Sequence, residues 1–153
     1  MATPEERLAE LGLTLPELAA PVAAYVPTVR TGDHVYVAGQ LPFVEGKLPT
    51  TGKVGADVDP ETAEDLAALC ALNGIAAVRA ELGDLSRVTR VVKLVGFVAS
   101  SPDFTGQPGV INGASQLIGK VFGDAGVHAR SAVGAAALPL DSPVEVEMIV
   151  EAR

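Results

Sequence analysis

The groups most able to do chemistry lie near the end of the chain, in "HARSAVGAAALPLDSPVEVEMIVEAR". Arg130 heads a run of small and apolar residues, and Glu145, Glu147 and Glu151 recur on the next apolar run. A guanidinium carries a permanent charge and a rigid fork of donors that fits a carboxylate at two points. A carboxylate beside it can orient a water molecule or take its proton. The sharper reading is therefore a guanidinium fork that grips a small organic acid by its carboxylate. The plainer reading makes Arg130 a surface arginine and Glu151 its salt-bridge partner, worth under about 1 kcal/mol.

Strands must hold these groups, and the two runs around "PLDS" predict a terminal hairpin. If Leu138 pairs with Pro143, Arg130 faces Glu151, Ala132 faces Ile149 and Gly134 faces Glu147. Arg130 and the glutamates then share one face, whereas a slip of one residue puts them on opposite faces. On the last strand Val144, Val146, Met148 and Val150 form one face, and Glu145, Glu147, Ile149 and Glu151 the other. The apolar face is expected to meet helices. The other face, with the small residues of "RSAVGAAALP", differs from an ordinary wet surface and predicts a homo-oligomer whose sheets pack together.

Upstream, "TPEERLAELGL" predicts a short helix capped by Thr3, with Pro4 at its first position and an end near Gly12. "LPELAAP" follows as an arm. "YVPTVRTGDHVYVAGQLPF" alternates as two strands joined at Thr31 to Asp33. "VEGKLPTTGKVGADVD" reads as a surface loop, and Asp59 with Pro60 opens a long helix that Gly83 closes. "SRVTRVVKLVGFVAS" is the most β-branched stretch and predicts a central strand. After the loop "SPDFTGQPG", the segment "VINGASQLIGKVFGDAG" predicts a second long helix. The order β-β-α-β-α-β-β gives an α+β fold in which two helices cover one side of a mostly antiparallel or mixed sheet. At 153 residues the chain suits one domain.

Composition excludes several functions. No apolar run approaches the roughly 20 residues that cross a bilayer, and the acidic N-terminus is unlike a signal peptide, so the expected location is the cytoplasm. A net charge of -8, with no cluster of Lys and Arg, argues against nucleic acid. One cysteine, Cys70, and two distant histidines, His34 and His128, offer no metal-binding spacing. "GASQLIGKV" imitates a phosphate loop, but its glycines are misplaced and Val121 stands where Ser or Thr is required. Ser115 and Ser131 show no neighbouring His or Asp that would make a nucleophile. Gly39 in "VAGQLP" marks either a bulge or a close approach of backbone to ligand. Cys70 reads as a small core residue.

The segments "AAPVAAYVPTVRTGDHVYVAGQLP", "INGASQL" and "HARSAVGAAALPLDSPVEVEMIVEA", in that order over residues 20 to 152, resemble the Rid (YjgF-like) family of reactive intermediate deaminases. That family also carries the label endoribonuclease L-PSP. The resemblance implies a chorismate-mutase-like α+β fold, a homotrimer with clefts between subunits, and no cofactor. It also implies hydrolysis of 2-imino or enamine acids to 2-oxo acids and ammonia. By position, Arg130 resembles the carboxylate-binding arginine and Glu147 the acid that positions water, with Glu151 as the rival partner by register. Tyr25 is similar to the tyrosine supplied by a neighbouring chain, Gly39 to the glycine lining the cleft, and Asn112 to the asparagine at its rim. Ala132 stands where the family commonly has cysteine, and Ala38 where many members have serine; the small lining remains while a thiol and a hydroxyl contact are lost. The N-terminal helix, over residues 1 to about 20, and the long loop mark a longer, divergent branch. A non-catalytic trimer that binds a small carboxylate is the alternative, and RNA cleavage ranks third.

Overall fold

The computed structural model describes residues 1–18 and 23–153. Helix α1 spans Pro4–Glu10, and its start follows the local chemistry closely. The Thr3 hydroxyl accepts the Glu6 N–H at 3.1 Å, and the Glu6 carboxylate accepts the Thr3 N–H at 2.7 Å. Each side chain thus satisfies a backbone donor that the first turn leaves bare. Part of the arm "LPELAAP" lies outside the described residues.

Strands β1 (Thr28–Thr31) and β2 (His34–Gln40) form the expected hairpin, turning through Gly32 and Asp33. Helix α2 (Pro60–Leu82) begins at Asp59, whose carboxylate accepts the Thr62 N–H at 2.7 Å, and ends at left-handed Gly83. Strand β3 (Val88–Ala99) follows, then helix α3 (Gln107–Phe122), β4 (Ala129–Ala135) and β5 (Val144–Ala152). Helix α3 starts one turn earlier than the apolar spacing suggests, because Pro108 is tolerated in a first turn that needs no N–H from it. Residues 123–126 form a separate 3-10 turn beyond its end.

The sheet order is β1-β2-β5-β3-β4, with β3 and β4 parallel and all other neighbours antiparallel. The fold class is the mixed α+β arrangement expected, but the terminal hairpin is not. Strand β3 lies between β4 and β5, so Arg130 pairs with Leu94, Ala132 with Gly96 and Gly134 with Val98. The reason is the crossover: α3 leaves the end of β3 and returns the chain alongside it, which is how parallel neighbours are joined. Strand β5 then fills the other side of β3, whose β-branched residues suit an interior place.

Both long helices cover one face. Val35, Val37, Leu94, Val98, Val146 and Met148 point into a core shared with Leu66, Cys70, Ile75, Ile111 and Ile118. Cys70 is fully buried, and burial pushes its thiol pKa well up. The segment from Leu41 to Asp59 is less of a surface loop than its composition suggests. Val54 and Val58 are buried, and Val54 N–H donates to Ala99 O at 2.8 Å. No helix among the described residues is long and apolar enough to cross a membrane.

Candidate functional site

Arg130 lies at the start of β4, an outer strand. Its register partner Leu94 is fully buried, so the two residues share the helix-covered side of the sheet. There the guanidinium meets α3. Nη1 donates to Asn112 Oδ1 at 2.8 Å and to Ser115 Oγ at 3.2 Å, and Nη2 donates to Pro108 O at 3.2 Å. Residues 108, 112 and 115 follow one another at helical spacings of four and three, which puts all three acceptors on one stripe of α3.

Each acceptor is neutral, and among the described residues no carboxylate lies within ion-pairing distance of Arg130. Of five guanidinium N–H groups, three are engaged. The Nε–H and one Nη2–H have no partner among the described residues, and these donors fit a two-point grip on a carboxylate. Ala132, one pleat along on the same side, packs against the core with a methyl group only.

The second group of residues occupies the opposite, uncovered face. Glu147 pairs with Val95 and Glu145 with Phe97. The Arg130–Glu151 and Gly134–Glu147 pairings expected from the sequence are therefore absent, and Arg130 and Glu147 do not share a face. Strand β3 intervenes. Glu151 instead accepts a hydrogen bond from Thr89 Oγ1 at 2.7 Å.

Gly39 sits in a bulge of β2. Val37 pairs with Met148 and Gln40 with Val146, so Ala38 and Gly39 together oppose the single residue Glu147. A Cβ at Gly39 would fall on the Glu145 carboxylate, 2.9 Å from its Cδ. The missing side chain is what lets that carboxylate lie against the strand. Partial burial raises the Glu145 pKa, and the nearby charge of Glu147 raises it further. Phe97, its cross-strand partner, contributes apolar cover. Tyr25 is exposed just before Pro27, whose carbonyl accepts the Ala38 N–H at 2.9 Å, so the tyrosine stands at the Gly39 end of the hairpin.

Three residues were visible in the sequence but not assigned to the site. Glu145 was visible as a face-mate of Glu147, but its fit to Gly39 depends on the β2–β5 pairing. Ser115, expected to lack a histidine neighbour, has one: its Oγ lies 2.9 Å from His128 Nε2, and His128 Nδ1 lies 2.6 Å from Gly126 O. The sequence separates the two by thirteen positions, and only the reversal of the chain after α3 brings them together. The available signals were the polar residue one turn beyond Asn112 and the spacing of two between His128 and Arg130.

Comparison with known proteins agrees with this architecture. Residues 5–152 match the family described as "YjgF/chorismate_mutase-like, putative endoribonuclease". Protein TCP17 of Trypanosoma cruzi is 48% identical over 145 residues, covering 94% of this chain and 91% of that protein. A solved structure of a protein of unknown function from Agrobacterium tumefaciens is 53% identical, with a TM-score of 0.92 over 99% of this chain and 94% of its own. A "putative endoribonuclease" from Shewanella oneidensis MR-1 is 35% identical, with a TM-score of 0.95 over 98% of this chain and 99% of its own. With that match running through both long helices and all five strands, the chain belongs to the YjgF/chorismate-mutase-like family.

Proposed function

We propose that this protein is a cytoplasmic homotrimer that hydrolyses reactive 2-imino acids to 2-oxo acids and ammonia, at sites shared between neighbouring chains and without a cofactor. The observation that carries the reading is Arg130, a cation cradled by three neutral acceptors with part of its donor fork unengaged. In this reading Nε and Nη2 grip the substrate carboxylate, with Asn112 at the rim and Ala132 lining the floor. The second chain supplies Tyr25, Gly39, Glu145 and Glu147.

The protonated imine makes C2 electrophilic. A water oxygen bonds to C2 while a glutamate takes the water proton, giving a carbon that bears both hydroxyl and amine. The glutamate passes that proton to the amine and takes the hydroxyl proton as the C–N bond breaks, so ammonia leaves as the C=O forms. Glu145 is the better placed of the two glutamates for this exchange, because its raised pKa favours holding a proton, while Glu147 supplies the neighbouring charge. This modifies the expectation centred on Glu147. Cleavage of RNA, which the family description mentions, is disfavoured here by the chain's net charge of -8.

The test is to generate 2-iminopropanoate with an amino-acid oxidase and to trap the remaining imine with semicarbazide. Wild type should speed loss of the imine, and Arg130→Ala should lower kcat/KM by about a hundredfold, as expected when a charge-assisted clamp is removed. Equal rates in both would overturn the enzyme reading. Pyruvate binding without turnover would support a carboxylate-binding trimer instead.

A further inference from the structure

We infer that His128, acting through Ser115, is a positioning residue for Arg130, an inference that rests on the carboxylate-clamp reading above. With the imidazole neutral, the direction of each hydrogen bond in the chain of contacts follows from its ends. Gly126 O can only accept, so His128 Nδ1, at 2.6 Å, carries a proton. In neutral imidazole Nε2 is then an acceptor, and the Ser115 hydroxyl at 2.9 Å donates to it. The Ser115 proton is thereby turned away from Arg130, and a lone pair of Oγ is left to accept Nη1–H at 3.2 Å.

This arrangement is unusual for a serine in the body of a helix. Such a hydroxyl ordinarily turns back to the carbonyl four residues earlier, here that of Ile111. His128 offers a competing acceptor outside the helix and fixes the Oγ lone pairs toward the guanidinium. Asn112 and Ser115 together then pin Nη1, and Pro108 O pins Nη2, which leaves rotation about Nε–Cζ blocked. The unengaged edge of the fork is held in one orientation before a ligand arrives, so less freedom is lost on binding.

His128 and Ser115 act in series, and the test uses that. In Ser115→Ala or His128→Phe, pyruvate binding measured by calorimetry should weaken about tenfold, the scale of one lost charge-assisted hydrogen bond. The double variant should lose no more than either single one, since among the described residues the hydrogen-bonded side-chain route from His128 to Arg130 runs through Ser115. Ser115→Thr, which keeps the hydroxyl, should restore most of the affinity. For imine hydrolysis KM should rise with kcat held, because the clamp serves ground and transition states alike.

A second readout needs no ligand. In nitrogen NMR of the wild type, Arg130 should show separate Nη1 and Nη2 resonances, which merge in His128→Phe as the guanidinium begins to rotate. Additive losses, wild-type affinity in His128→Phe, or unchanged separate resonances in that variant would overturn the inference. So would labelling of Ser115 by a fluorophosphonate, which would make it a nucleophile. If wild type fails to bind pyruvate, the function proposed above falls, while the Nη resonances still decide whether His128 holds Arg130.

Discussion

The carboxylate of Glu145 lies against Gly39, with Phe97 beside it and Glu147 two residues along the strand. Burial raises its pKa first and the Glu147 charge raises it further, so ionising this group works against the fold. Below the ordinary value of 4.5 the group is protonated in folded and unfolded chains alike and has no such effect. As pH rises from there through the raised folded value, the unfolded chain loses its proton more readily and stability falls. Glu145→Gln should therefore raise Tm by a few degrees at neutral pH, a gain that disappears in acid, as thermal unfolding across pH will show. In the proposed mechanism the same substitution removes the group that handles the water proton, so kcat should fall by about a hundredfold, within the range for one acid–base group. Stability and activity moving in opposite directions distinguishes a functional carboxylate from a structural one. If Tm falls at neutral pH instead, Glu145 is a packing residue.

Helix α3 does two jobs, and its sequence separates them by face. One stripe, with Pro108, Asn112 and Ser115, holds Arg130; another packs against α2 through Gly113. A Cβ at Gly113 would lie 2.8 Å from the carbonyl carbon of Glu64, which is backbone and cannot swing aside. Gly113→Ala should destabilise the protein by about 1–3 kcal/mol, the usual cost of overpacking, seen as a lower urea midpoint. Because the shift would also move the Arg130 stripe, pyruvate affinity should drop with it. Unchanged stability would mean that the helices separate more freely than their packing implies. The helices themselves were legible in the sequence, since Thr3 with Glu6, Asp59 with Thr62 and Gly83 act on neighbours within one turn. Strand faces were legible too: alternate burial along β5 follows Val144 to Ala152 residue by residue. The partner of β4 was not. Its small residues fit beside several strands, and the choice of β3 depends on how α3 carries the chain back. Arg130 could thus be singled out as a candidate residue, while its surroundings could not.

Across the whole molecule, the two sets of candidate residues lie on opposite faces of one sheet. Arg130 is on β4 and Glu145 on β5, with β3 between them; two strand spacings are about 10 Å, and the sheet itself separates the side chains. A small imino acid cannot reach both within one chain. The uncovered face provides a way to join them, since Val29, Tyr36 and Val133, between 46% and 55% exposed, leave apolar surface across it. In the proposed oligomer a second copy would have to seat its β4 edge there to bring its arginine to the glutamates of the first, which is why the proposed function requires an oligomer. Subunit mixing tests this directly. Arg130→Ala and Glu145→Gln should each be nearly inactive alone. In randomly mixed oligomers an intact site draws its arginine from one variant and its glutamate from the other, so about a quarter of the sites should recover in a closed symmetric assembly. Mixed assemblies no more active than the two variants measured separately would place arginine and glutamate in the same chain's chemistry and remove the shared site.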